Sequence, residues 1–290
     1  MTDLLQIIVS GLLVGGVYAF MALGMVLIFK ATGVFNFAAG HLMALGALIT
    51  VLIIVQLGLP VWVGIIGAVV ASAIIGMLAE RLALRRLIGQ PHMSALMATL
   101  ALAYLTQGVI LAAWQGKIYV LPEFMPSGPI NVGAIVIDSE LLWPFIIVVL
   151  LFGGFAIFFA RTKIGLGMRA TAEDHQLAQL KGINVKFVFA LTWAIAGMLG
   201  TVAGILMGHR MGVSLTLAFV GFRVIPVVLL GGLDSITGAI VGGLIIGIVE
   251  RLVAGYFDPW LTNMAPFVVL LIIMIIRPEG LFGLKRIERV

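Results

Sequence analysis

The sequence predicts an all-α polytopic integral membrane protein, with about eight membrane-spanning helices plus broken or half-penetrating segments. Three observations carry this. Hydrophobic residues fill 62% of the 290 positions and charged residues only 10%, far from the balance of a water-soluble domain. Ala31 to Ala79 runs for 49 residues without Asp, Glu, Lys or Arg. The basic residues behind the net charge of +5 sit in short segments between apolar runs, the pattern of cytoplasmic loops rather than of a nucleic-acid surface. A crossing of about 30 Å takes roughly 20 residues, so residues 1–290 form one transmembrane domain with no room for a soluble one.

The elements follow in order. Met1 to Val9 lacks the basic n-region and small-residue cleavage site of a signal peptide, so the first span is read as retained. Leu4 to Phe29 is uncharged and makes ~39 Å of helix, one crossing with overhang. The 49-residue run would make ~73 Å and must fold back; Gly58-Leu59-Pro60 divides it into spans near 37–57 and 60–79. Arg81, Arg85 and Arg86 mark a cytoplasmic loop, and residues 93–114 form the next span. Lys117 to Glu140, with three prolines and four acidic or basic residues of its own, is the long outer connection. Residues 141–160 cross back, Arg161 to Lys186 is cytoplasmic, and 187–208 cross outward.

Val224 to Gly232 holds about nine apolar residues, too few to span a bilayer. Spans over 239–253 and 259–276 follow, and Arg277, Lys285, Arg286 and Arg289 place the tail in the cytoplasm. Eight simple crossings from an outer N-terminus leave that tail outside. A half-penetrating 223–233 segment restores the orientation.

Two glycine-marked interruptions thus stand out, FNFAAG at residues 35–40 and LLGGLDSITG at 229–238. Paired interruptions of this kind point to a transport path. The candidate path residues are Asn36, Phe37, Gly40 and His41 in the first and Gly231, Gly232 and Ser235 in the second. Asp234 is read as the cap of the helix that starts near Ser235. Gly11 and Gly15, Gly200 and Gly204, and Gly238, Gly242 and Gly243 permit close helix approach. IIGMLAERL at 74–82 echoes IIGIVERL at 245–252, and the Glu80-Arg81 and Glu250-Arg251 pairs are read as interfacial anchors, with gating ion pairs as the alternative.

Nothing resembles catalytic machinery. No phosphate loop, HExxH, GxSxG or metal-spaced carboxylate cluster occurs, and the absence of cysteine excludes thiol chemistry. The chain is read as no enzyme, with no bound cofactor or metal. The distinctive polar stretch is GLGMRATAEDHQLAQLKGINV, residues 165–185. Thr171 and Asp174 suggest a capping box and Gly182 a left-handed C-terminal cap, bounding a helix of about ten residues whose Ala172, Leu177 and Ala178 suit docking in a partner's groove.

These residues resemble a known family. RATAEDHQLAQLKGINV is similar to the coupling-loop signature of permease subunits in ABC importers. GGVYAFMALGMVLIFKATGVFNFAAGHLMALGA and LLGGLDSITGAIVGGLIIGIVERL resemble, in the same order, segments of branched-chain amino acid permeases of the LivH type. The resemblance implies a single permease domain over 1–290. It implies half of a translocation path for branched-chain or related small amino acids in a bacterial or archaeal cytoplasmic (inner) membrane. The implied partners are a second homologous permease subunit, two ATP-binding subunits that use the ATP, and an extracytoplasmic solute-binding protein. Arg169, Ala170, Thr171, Asp174, Ala178, Gly182 and Ile183 become the ATPase-coupling loop. Where the family commonly has NFAHGE, this chain has Ala39 and His41 around Gly40, which leaves urea, short amides or other small polar solutes as alternative cargoes. A secondary transporter or channel driven by an ion gradient is the alternative of another class. Such a protein keeps an embedded carboxylate, for which the sequence offers Asp234.

Overall fold

The computed structural model describes residues 2–87, 90–133 and 135–283. The predicted tail residues Lys285, Arg286 and Arg289 lie outside them. The helices are α1 (Thr2–Thr32), α2 (Ala39–Val51), α3 (Val61–Ala79), α4 (His92–Trp114), α5 (Ser139–Arg161), α6 (Lys163–Glu173), α7 (His175–Leu180), α8 (Val185–Met211), α9 (Thr216–Phe222), α10 (Val224–Gly231), α11 (Ile236–Tyr256) and α12 (Ala265–Ile276). A wider π turn, Leu52–Gln56, extends α2, and another, Glu80–Leu84, extends α3.

Among the described residues, seven helices are long and apolar enough to cross a membrane, from Asp3–Thr32 to Ile236–Tyr256. Residues 216–231 and 265–276 make shorter apolar helices. The expected 259–276 span is divided: a 3-10 turn, Pro259–Asn263, precedes α12, which at 12 residues reaches only ~18 Å. α10, with eight residues, makes ~12 Å and is the short element expected after Arg223. A two-stranded antiparallel hairpin, β1 (Pro129–Val132) with β2 (Ile135–Asp138), lies inside the long 115–142 connection, where no regular element was expected.

The helices fall into two compact units. The first comprises Met1–Val26, Met125–Val148 and Phe222–Val290. Its seam is glycine against glycine: a Cβ on Gly11 would stand 2.6 Å from the Ile248 Cα, and one on Gly15 would stand 2.5 Å from the Gly243 carbonyl oxygen. Helix packing in lipid gains from such small residues because contact, not water release, drives association. The C-terminal stretch closes over α10, with Leu281 and Phe282 amides donating to the Leu230 and Gly231 carbonyls at 2.8 and 3.0 Å.

The second unit comprises Leu27–Phe124 and Val149–Gly221. α8 packs along α2 and α3. Ser72, Thr201 and Gly46 meet at this crossing, where the buried Thr201 hydroxyl donates to Ser72 Oγ at 2.6 Å. A buried hydroxyl pair of this kind satisfies both polar groups without water.

Candidate functional site

The first predicted interruption is a chain break at residues 33–38 between α1 and α2. Asn36 is buried at 2% exposure, and its Oδ1 accepts the Ala38 amide at 3.0 Å. Its side chain therefore satisfies an amide freed by the break, as non-helical backbone at membrane depth requires. Thr99 of α4 lies against the same break: its hydroxyl proton is shared between the Leu96 carbonyl of its own helix at 2.9 Å and the Phe35 carbonyl at 3.1 Å, and its oxygen accepts the Phe37 amide at 3.4 Å. Phe35 and Phe37 pack ring to ring, 4.8 Å apart. Gly40 is a contact point, since a Cβ there would meet the Ala218 carbonyl oxygen at 2.5 Å. His41 is buried in α2 and hydrogen-bonded to Gln107.

The second interruption belongs to the other unit. Gly231 ends α10 against Gly238, and Gly232, at φ 107°, turns the chain away. Ser235 Oγ accepts the Gly238 amide at 3.0 Å and is the N-cap of α11. Ser235 takes the capping role expected of Asp234, because the turn after Gly232 places the residue before Ile236, not the one before that, at the helix entrance.

Two buried carboxylates were misread as interfacial anchors. Glu80, at 1% exposure, pairs not with Arg81 but with Arg85: the guanidinium contacts both carboxylate oxygens at 3.0 and 2.6 Å. The π turn over Glu80–Leu84 brings position 85 back over position 80. Glu250, at 7%, pairs not with Arg251 but with Arg223 at 2.5 Å. Arg223 sits at the junction of α9 and α10 and also reaches Tyr18 Oη, at 3.4 Å, and Asn263 Oδ1. Charges in such surroundings require a partner. Asp234 is therefore not the sole carboxylate to weigh, and both buried ones are neutralised inside the chain. A lone arginine in the apolar stretch from Leu217 to Leu230 was the available signal for this cluster.

The loop between α5 and α8 is not one ten-residue helix but two. Thr162 Oγ1 accepts the Gly165 amide at 3.0 Å and starts α6, nine residues before the expected cap at Thr171. Thr171 is therefore inside a helix and fully buried, so it cannot cap one. Asp174 alone caps α7, its Oδ1 accepting the Gln176 and Leu177 amides at 2.7 and 2.9 Å. At the other end Gly182, at φ 80°, closes a Schellman motif: its amide donates to Gln179 at 2.9 Å and that of Ile183 to Ala178 at 3.0 Å.

Arg169 donates to the last carbonyls of α5, at Phe159 and at Ala160 (3.4 Å), and lies over the Phe159 ring. Ala178 is buried with Ala31, Val185 and Phe189, and Ala170 and Ile183 pack on that cluster. Ala178 thus faces inward and seats α7, so it does not belong to a docking surface. The outward face carries Leu177 and Leu180, 60% and 82% exposed. His175 ties the helix to the end of α1, its Nε2 lying 2.9 Å from the Ala31 carbonyl oxygen, with its ring edge-on to Phe189.

Among the described residues, seven helices long and apolar enough to cross a membrane, backbone breaks held by internal hydrogen bonds and compensated buried charges define a multi-pass membrane protein. Residues 7–275 match the family model described as branched-chain amino acid transport system / permease component, and the chain belongs to that family. It is 30% identical to the high-affinity branched-chain amino acid transport system permease protein BraD of Pseudomonas aeruginosa, over 99% of this chain and 98% of that one. The corresponding LivH protein of Escherichia coli is also 30% identical, over 99% and 97%. The probable branched-chain amino acid transport permease protein LivH of Methanocaldococcus jannaschii is 31% identical, over 98% and 93%.

Proposed function

We propose that the chain is the transmembrane permease subunit of an ABC importer in a prokaryotic cytoplasmic (inner) membrane and forms half of the path for branched-chain amino acids. A second homologous permease subunit completes the path, two ATP-binding subunits drive it, and an extracytoplasmic binding protein delivers the solute to the 115–142 connection. The relatives named above support the cargo over the full length of the chain. The observation that carries the coupling role is α7: a six-residue helix, capped at both ends, presents two exposed leucines at the segment richest in loop charge. A helix this short has no stability of its own, so its caps and the Ala178 seat hold it.

The seat also supplies a path for force. Displacement of α7 by an ATP-binding subunit acts on Ala31 of α1 through His175, and on Val185 and Phe189 of α8 through Ala178. α8 packs along α2, whose N-terminus borders the 33–38 break.

The native chain has no cysteine, so single-cysteine variants report without background. With a thiol-reactive photo-crosslinker on Leu180→Cys in the assembled complex, we expect adducts to the ATP-binding subunit. Ala178→Cys should label poorly and give none. An unprotected, uncrosslinked position 180 in an active complex would remove α7 from the interface.

A further inference from the structure

The glycine seam between α1 and α11 gives way to a groove at one end of the first unit. Along the seam the two backbones meet at Gly11, Gly15, Gly243 and Gly247. Before Gly11, the α1 residues that line the groove are Asp3, Gln6, Ile7 and Ser10, the i, i+3, i+4 and i+7 positions of one helix face. Arg251, Ala254 and Gly255 line it from α11 with the same spacing. The helices still touch where a Cβ on Gly255 would stand 2.8 Å from Ile7 Cδ1. Beside that contact lies an open volume of about 370 Å³, within the range of small-ligand sites.

The groove carries one charge of each sign. Among the described residues the ion pairs are Glu80 with Arg85 and Arg223 with Glu250, so Asp3 and Arg251 line one groove without closing on each other. A guanidinium is suited to an oxyanion and a carboxylate to an ammonium. Between them stand the Gln6 amide and the Ser10 hydroxyl, which donates to the Gln6 carbonyl at 2.8 Å and keeps its acceptor capacity.

The depth of the groove narrows the occupant. α1 has Asp3 in its first turn and Lys30 in its last, which places the groove at the outer surface of the membrane. Tyr256, Phe257 and Trp260 follow the α11 wall and are exposed, as are Leu4 and Leu5 beside Asp3. Exposed aromatic rings mark the level of the lipid headgroups.

We propose that this groove binds the headgroup of a phospholipid that carries an ammonium next to its phosphate, with Arg251 taking the phosphate and Asp3 the ammonium. The lipid bridges α1 and α11 where their glycine seam ends. A free amino acid presents a similar pair of charges, but the headgroup depth and the exposed apolar flanks suit a lipid.

Native mass spectrometry tests the site on the full chain, purified in detergent with the subunits that accompany it. Titration with dioleoyl phosphatidylethanolamine should give a saturable adduct. Dioleoyl phosphatidylglycerol, which keeps the phosphate and lacks the ammonium, should bind about threefold more weakly, the size of an exposed charge pair. Asp3→Asn, at an exposed position where folding is unaffected, should make the two lipids equal. Ala254→Phe, also at an exposed position, fills the groove and should lower the affinity for the ethanolamine lipid about tenfold. Arg251→Gln should weaken both lipids alike, and if it fails to assemble beside Glu250 the two exposed variants still decide. Absence of a saturable adduct, equal affinity for the two lipids in the wild type, a preference that survives Asp3→Asn, or binding unchanged by Ala254→Phe overturns the site. Displacement of the lipid by excess leucine assigns the groove to a free amino acid and overturns it as well.

Discussion

Replacing Asp174 with alanine isolates the contribution of one cap to coupling. The carboxylate accepts the Gln176 and Leu177 amides, and among the described residues no other side chain is bonded to those donors. Removing an N-cap of this kind costs about 1 kcal/mol, within a range of about 0.5–2. A free-energy change of that size multiplies the population of unfolded α7 about fivefold. Because α7 has only six residues, that loss is not diluted over a longer helix.

Hydrogen exchange reads it directly: in Asp174→Ala the amides from Leu177 to Ile183 should exchange about fivefold faster, while those of α8 stay unchanged. Asn caps as well as Asp, so Asp174→Asn should restore most of the protection. Substrate-stimulated ATP hydrolysis by the complex should follow the same order, wild type above Asn above Ala. Equal exchange in wild type and alanine variant, or an asparagine variant as fast as the alanine one, would refute the capping account.

Other perturbations test other parts. Gly182→Ala forces an L side chain into the left-handed region at φ 80° and should cost about 1–2 kcal/mol, read as further loss of α7 protection with insertion of the chain unaffected. Arg223→Ala strands Glu250 at 7% exposure and should cost about 3–5 kcal/mol in a thermal or denaturant assay of the purified chain, whereas Arg223→Met combined with Glu250→Met should recover most of the loss. Gly40→Val should block the approach of α2 to Ala218 and abolish transport while leaving the protein in the membrane, as shown by uptake measured beside membrane content. Leu177→Asp with Leu180→Asp changes only exposed positions and should leave thermal stability within about 0.5 kcal/mol while eliminating stimulated hydrolysis.

Hydropathy made the spans legible because each crossing imposes a fixed length on an uncharged run. The glycine-marked breaks were legible too, since lipid leaves few other reasons for FNFAAG and LLGGLDSITG. The partners across space were not. Glu80 chooses Arg85 over its neighbour Arg81 because of a π turn, and Glu250 chooses an arginine 27 positions away, neither of which sequence adjacency encodes. Thr99 gave no signal as a contact to the first break, because a threonine in an apolar helix commonly bonds its own preceding turn, as Thr99 also does at Leu96. In the loop between α5 and α8 the C-terminal glycine was readable from its φ requirement. The N-terminus was misplaced because Thr171 and Asp174 both suit capping, and only the burial of Thr171 separates them.

The central claim, that this permease moves branched-chain amino acids only when α7 is driven by ATP-binding subunits, is tested most directly by leucine uptake into proteoliposomes. The complete complex should accumulate leucine with ATP and binding protein present, and the same complex bearing Leu177→Asp and Leu180→Asp should not. Accumulation by the chain alone under an ion gradient, or undiminished ATP-driven uptake by the double variant, would contradict it.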